Sequence, residues 1–427
     1  MSRLLVLLLS VTCGISVGNI YFPQAVSPLV AAGLDVPPEV AALVATAVQL
    51  GYAVGIFLLV PLGDRVPYRK LIAGLLVATG VGLLAASAAP SLPPLVAASA
   101  LIGTTTVIAP LVSPLAAGLV SEDRRGTVIG MLLSGSIGGM LLSRAFGGTL
   151  GEWLGWRAPY LVAAVLVLLI AGVLAFAVPS TQPPSTQRYP ALLGEALRLL
   201  RTEPELRRSC FYQAMVFAGF TAVWTGVALL LTGPTYGLGA PAVGALAVVG
   251  AATMVCTPVA GRQADRRGPD VVNLACMIGT IAAAAVLVGG TFGGVPGLAC
   301  LVLGTLLLDV TMQSGMVANQ VRIYALRPEV RSRLNTAYMT CAFLGGSAGS
   351  WLGVRAFTYF GWPGVCGLVA LLAGAALTRH LVALRSRAED REPARAGVSN
   401  ALRTADRTRV RPPVDSISSS SQEGDAG

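Results

Sequence analysis

The chain has 427 residues, of which 54% are hydrophobic and only 12% charged, and its mean hydropathy is +0.73. That is about half the charge of an ordinary soluble domain. Apolar runs recur from end to end, each long enough to cross a ~30 Å hydrocarbon core as a helix, so a soluble fold is excluded and an all-α polytopic membrane protein fits. The net charge of +10 does not point to nucleic acid, because the positive charges follow the loops rather than a binding face.

In chain order, hydropathy predicts twelve transmembrane spans at about 4–30, 39–62, 71–89, 94–118, 127–150, 158–178, 209–232, 241–262, 271–291, 296–319, 333–355 and 363–384. The first begins as a Leu-rich run after Arg3, but no small-x-small cleavage site follows and the run continues into Pro23 and Pro28. It is read as an uncleaved span. Pro110, Pro114 and Pro258 also fall inside spans, where each missing N–H must be accommodated by a neighbour or a wet cavity. The 50 glycines suit helices that pack in lipid through small residues.

Of the 30 Lys and Arg residues, 17 lie in alternate loops at 65–70, 124–125, 188–208, 262–267 and 322–333. The opposite loops hold only Arg157 and Arg355. The positive-inside rule therefore puts both termini in the cytoplasm. The seven cysteines are scattered without a C-x-x-C pair and read as small packing residues. His380, the single histidine, reads as a polar anchor at the end of the last span. No metal or cofactor is expected.

Residues 1–178 and 209–385 are expected to form two six-helix halves joined by a linker, 179–208. The linker opens with Pro179, Pro183 and Pro184 and then alternates Leu192, Leu193, Leu197 and Leu200 with Glu195, Arg198 and Arg201. That pattern predicts an amphipathic helix on the cytoplasmic surface. The tail, 386–427, is rich in Arg, Asp, Ser and Pro and is predicted to be disordered. Two markers support duplication. The acidic-basic run Gly63-Asp64-Arg65 recurs as Gly261 to Gly268 at an offset of 198, and Gly155-Trp156 recurs as Gly361-Trp362 at an offset of 206. Repeats of this kind place substrate between the halves near the midplane, with access alternating as one half rocks on the other.

These features resemble the major facilitator superfamily, over the whole chain except the tail. Its signature loop, roughly G-x-x-x-D-R-x-G-R, is matched by Gly261, Asp265, Arg266 and Gly268 in the second copy. The first copy keeps Asp64 and Arg65 but has Val60 and Pro67 in place of glycines. The resemblance implies that these loops form cytoplasmic gate contacts favouring the outward-facing state; otherwise they are turns that fix orientation. Gly18-Asn19-Ile20-Tyr21-Phe22-Pro23-Gln24, Asn319-Gln320 and Arg331 through Tyr338 look like the drug:proton antiporter branch, particularly its arabinose-efflux-like group. The fifth span departs from that branch: Arg144 stands in the frame Gly139, Ser143, Gly147, Gly148 where the antiporters carry proline. The fourth-span arginine of the pattern is also absent, with Thr104-Thr105-Thr106 in its place.

Two ionisable residues lie well within spans, Arg144 and Asp309. A charge there costs roughly 2.5–3.5 kcal/mol, so such residues usually face a cavity or a partner. Desolvation favours the protonated form of a carboxylate. Asp309, with Gln313 one turn on, is therefore expected to bind the proton or a cationic substrate, or else to make a structural pair. Arg144 is expected to hold an anion, to neutralise Asp309, or to snorkel outward. Asn19, Tyr21 and Gln24, then Gln49 with Tyr52, then Tyr212, Gln213 and Trp224, then Asn335 with Tyr338, are candidate lining residues. Each alone also reads as interhelical hydrogen bonding. Together they suit a neutral or weakly charged amphipathic solute.

The function expected is that of a secondary transporter, a monomer in the lipid bilayer of a bacterial cytoplasmic membrane, exporting a small organic molecule in exchange for protons. Import or uniport of a nutrient or organic anion is the alternative. A receptor or scaffold on the same frame would tolerate loss of both Asp309 and Arg144. An enzyme is not expected, since the chain shows no acid–base or metal constellation.

Overall fold

The structure is a computed structural model that describes residues 3–179, 188–250, 256–327 and 330–409; side chains at 117–118, 122–123, 125–126, 256–258, 261, 265 and 387–409 lie outside the description. The chain forms two compact units, residues 1–377 and residues 378–427. Ten described helices are long and apolar enough to cross a membrane, which satisfies their backbone groups within each segment, as lipid requires.

Helix α1 is Arg3–Leu34. The short α2, Pro38–Ala41, leads into α3, Leu43–Leu59, which tightens into a 3-10 turn at Val60–Asp64. Helix α4 is Tyr68–Ser87. The fourth predicted span is broken into α5, Leu92–Thr105, and α6, Ile108–Gly118. The break falls at Thr106, four residues before Pro110, where the proline ring crowds the carbonyl and supplies no helical N–H; Thr106 O accepts from Ile108 N at 2.8 Å instead. Thr106 Oγ1 donates to Ser16 O at 2.9 Å, tying the break to α1. Helices α7, Glu122–Leu154, and α8, Arg157–Ala177, complete the amino-terminal half of the chain.

The linker contains α9, Tyr189–Thr202, whose buried face is Leu192, Ala196 and Leu199. That face packs with Leu206, Ile323 and Leu334. Helix α10, Pro204–Thr232, is followed by α11, Ala240–Gly250, and α12, Cys256–Arg267. Then come α13, Pro269–Val288, and α14, Gly294–Leu326. Helix α15, Arg331–Arg409, is interrupted at Gly361, where φ is 63° and ψ is −160°. It is therefore two helical segments in the first unit, the second running on into the second unit.

Sequence composition predicts disorder from 386, whereas α15 stays helical to Arg409. Ala and Arg, both strong helix formers, recur through residues 386–409 and favour local helix there.

Gly361 explains one duplication marker. Gly155, 206 residues earlier, also has positive φ, 85°, and each glycine ends a helix immediately before a tryptophan. Only glycine takes this backbone conformation without strain. The packing repeats as well. In α7, Gly139, Ser143 and Gly147 share one face at a spacing of four and meet α1: a Cβ at Gly139 would lie 2.0 Å from Gly14 O. Gly345, Gly349 and Gly353, each 206 residues further on, lay α15 against Ala214, Ala218 and Ala222 of α10 in the same way. Threonine pairs bridge neighbouring helices at matching places, Thr79 to Thr105 at 2.9 Å and Thr280 to Thr311 at 3.1 Å.

The amino- and carboxy-terminal helices meet along two seams. Helix α3 lies antiparallel to the first segment of α15. Thr46 Oγ1 donates to Ser350 Oγ at 3.1 Å, the Tyr52 and Phe343 rings are 4.5 Å apart, and Asp64 and Arg333 approach to 3.8 Å. On the second seam, α7 meets α11 through Ala145 and Gly244, and Gly148 and Ala240.

Candidate functional site

The face of α7 that locks onto α1 determines where Arg144 points. It follows Ser143 in sequence, so it emerges about 100° round the helix and reaches across to α10. There it is fully buried. Its Nε and Nη2 donate to one acceptor, Gln24 Oε1 of α1, at 3.1 and 3.0 Å. Its guanidinium lies 4.1 Å from the centroid of Trp224, 5.0 Å from that of Tyr21 and 5.8 Å from that of Phe220. A desolvated guanidinium on an aromatic face is stabilised by about 2 kcal/mol or more, which offsets much of the cost of placing it at this depth.

Asp309 comes from α14 and is 1% exposed. Its Oδ1 accepts a hydrogen bond of 3.2 Å from Trp224 Nε1. Trp224 thus serves both charges, with its face under Arg144 and its N–H on Asp309. The two charges are within electrostatic range of each other but make no direct ion pair. Arg144 Nη1 and Asp309 Oδ2 have no hydrogen-bond partner among the described residues.

The aromatic surface continues from this cluster. Phe220 and Trp224 have centroids 6.4 Å apart, Phe217 stacks on Phe220 at 5.6 Å, and Phe343 meets Phe217 edge-on at 5.0 Å. At its far end lie Tyr52 and Gln49, the latter fully buried with neither amide atom bonded among the described residues.

Of the predicted site residues, the structure brings Arg144, Gln24, Tyr21 and Asp309 together, with Gln49 and Tyr52 at the other end of the aromatic run. Asn19 is buried in α1 and Gln313 in α14, one turn from Asp309. Tyr338 lies elsewhere: its hydroxyl donates to Gln213 Oε1 at 2.9 Å, a bond between α15 and α10. Asn335 accepts from Tyr324 at 3.0 Å, and Tyr212 from Arg208 Nε at 2.7 Å.

In the repeated loops, Asp64 approaches Arg333, whose Nε lies 2.5 Å from Glu195 Oε2 of α9. Arg65 and Arg266 are both exposed. Gly268 has φ 84° and turns the chain into α13 where the first copy uses Pro67. Beyond their place in α12, Gly261 and Asp265 lie outside the description.

A second charge cluster was not legible in the sequence. Arg208 and Arg322 count as loop charges by hydropathy, yet α10 begins at Pro204 and α14 runs to Leu326, so both arginines are helical and at most 7% exposed. They share Asp270 and Glu205. Arg208 lies 2.6 Å from Asp270 Oδ1 and 3.5 Å from Glu205 Oε2. Arg322 contacts Asp270 and lies 3.7 Å from Glu205. Asp270 and Glu205 sit in the first turns of α13 and α10, where the helix dipoles favour negative charge. The spacing of acidic residues at helix starts is the only sequence signal for this cluster.

The family model described as Major Facilitator Superfamily matches residues 7–350. The chain is 34% identical over 378 residues to the uncharacterized transporter YgaY of Escherichia coli, covering 88% of this chain and 93% of that protein. It is 32% identical to "Probable transporter SCO4007" of Streptomyces coelicolor, over 86% of this chain and 84% of that one. It is 31% identical to a protein of Streptomyces lividans named "Chloramphenicol resistance protein", over 58% and 63% respectively. Among solved structures, the nucleoside transporter NupG superposes with a TM-score of 0.70 at 13% identity, covering 88% of this chain and 98% of that one; this is a likeness of fold. The chain is a multi-pass helical membrane protein that belongs to the major facilitator superfamily.

Proposed function

We propose that the chain is a twelve-span secondary active transporter of a bacterial cytoplasmic membrane, with both termini cytoplasmic, that exports a small organic molecule in exchange for protons. The observation that carries this reading is the buried cluster between the two halves: Arg144 from α7 over the face of Trp224 and Asp309 from α14 at its N–H edge. Charges at this depth are costly unless they serve a pathway or a partner, and here each keeps an atom unbonded among the described residues. Rocking one half on the other would carry Arg144 away from the aromatic faces of α10 and open the cluster to one side.

In this reading Asp309 takes the coupling proton, Arg144 and Gln24 orient the substrate, and Tyr21, Gln49 and Tyr52 line its path; Asn19 and Gln313 support them from adjacent turns. Asp64 with Arg65, and Gly261, Asp265, Arg266 and Gly268, form the cytoplasmic gate. The protein works as a monomer and catalyses no covalent reaction. The relative named for chloramphenicol resistance supports export over import.

The test is transport in proteoliposomes against a small solute library, with and without an imposed pH gradient. Asp309→Asn is expected to abolish gradient-driven flux while the protein still folds and inserts; undiminished flux in that variant sinks the proton role. The unbonded Nη1 of Arg144 favours one alternative, import or uniport of an organic anion. The sign of accumulation under the gradient separates the two.

A further inference from the structure

Opposite charges placed near each other in a desolvated site ordinarily collapse into a hydrogen-bonded pair, because their attraction there is strong and nothing else compensates them. Here they do not. Gln24 holds one edge of the Arg144 guanidinium, through Nε and Nη2, and Trp224 takes its face. The same indole occupies Asp309 Oδ1 with its N–H. What remains is one cationic donor, Arg144 Nη1, and one anionic acceptor, Asp309 Oδ2, each buried and without a partner among the described residues. Arg144 lies over the face of the indole and Asp309 at its N–H edge.

We propose that this arrangement recognises a compact zwitterion of the α-amino acid type, its carboxylate on Arg144 and its ammonium on Asp309, with an apolar or aromatic side chain along Phe220 and Phe217 toward Gln49. The proposal rests on the reading of this cluster as the substrate site. A cation satisfies Asp309 and leaves Arg144 uncompensated, an anion does the reverse, and a neutral solute satisfies neither charge. Leaving a buried charge without its partner is the main way such sites reject wrong ligands. The near-parallel rings of Phe217 and Phe220, 12° apart, continue the apolar surface from Trp224. Gln49 at its end offers both a donor and an acceptor to a polar group on the ligand side chain.

The test uses the purified full chain in detergent and four probes on one scaffold: phenylalanine, its methyl ester, N-acetylphenylalanine and N-acetylphenylalanine methyl ester. Binding is measured by calorimetry, which needs no membrane gradient. The free amino acid is expected to bind at least about tenfold more tightly than each blocked form, as loss of a buried charge partner implies. Asp309→Asn, which keeps shape and the acceptor for Trp224, is expected to bring phenylalanine down to the level of the N-acetyl compound. Arg144→Gln is expected to bring it down to the level of the methyl ester.

Equal affinity across the four probes, tighter binding of a blocked form, or no binding of any probe overturns the proposal. The order in the unmutated protein decides it even if a variant fails to fold. If this order appears in detergent but no probe moves in proteoliposomes under a pH gradient, the transport reading fails and the recognition stands. If other solutes move while phenylalanine does not bind, the outcome is reversed.

Discussion

Replacing Gln24 by Leu removes the acceptor of both Arg144 hydrogen bonds, 3.1 and 3.0 Å long, at nearly unchanged volume. Hydrogen bonds to charged groups contribute about 1.5–3 kcal/mol each, and a buried charge stripped of its partner costs about 3–5 kcal/mol. The aromatic faces around the guanidinium remain and retain about 2 kcal/mol, so the expected net loss is about 1–3 kcal/mol. Arg144→Met removes the cation and leaves Gln24 Oε1 unbonded, with an expected loss of about 1–2 kcal/mol. The double variant strands neither group and should lose no more than Arg144→Met alone. The coupling energy is then about 2 kcal/mol. Any effect of losing the guanidinium on Asp309 appears in both Arg144 variants and cancels in the cycle. The assay is equilibrium unfolding of the four proteins in mixed micelles. Additivity within about 0.5 kcal/mol would refute the claim that Gln24 is what holds Arg144 in place.

Three further outcomes are expected. Gly349→Ala puts a Cβ 2.1 Å from Ala218 O; α15 must separate from α10, lowering stability by about 1–3 kcal/mol, whereas Gly367→Ala, with nothing within 4 Å, serves as a neutral control in the same unfolding series. Asp270→Asn weakens the hold on two buried arginines; with a quarter of the Asp270 side chain exposed, the loss is expected at about 2–4 kcal/mol, partly recovered in Asp270→Asn/Arg322→Met, and a double variant no more stable than the single one argues against the shared-carboxylate account. Arg333→Gln breaks the contacts to Asp64 and Glu195, which join the halves at the end bearing the basic loops. Alkylation of Cys341, with the other cysteines replaced, should then quicken about two- to fivefold, as a partly exposed ion pair allows; an unchanged rate removes this contact from the gate.

The apolar, membrane-crossing character of the described helices was legible in the sequence, because hydropathy is a local property that lipid enforces residue by residue; that Arg144 and Asp309 are buried agrees with their place in apolar runs. The Gly-Trp marker was legible too, and the structure supplies its reason in the positive φ of Gly155 and Gly361. Local patterns could not say which partner each polar residue would choose. Tyr338 and Gln213 satisfy each other, while Gln24, in the same kind of apolar helix, holds an arginine 120 residues away. Arg208 and Arg322 read as loop charges until α10 and α14 proved longer than their apolar runs.

By itself, then, the sequence determined a helical membrane protein with two charges in its apolar runs, since each of those statements depends on one segment and its solvent. Only the tertiary structure decided that the charges stay apart, with one indole serving both. That outcome depends on the face α7 presents to α1: the spacing of Gly139, Ser143 and Gly147 rotates Arg144 toward α10, and a helix rotation of this kind is set by close packing between distant segments.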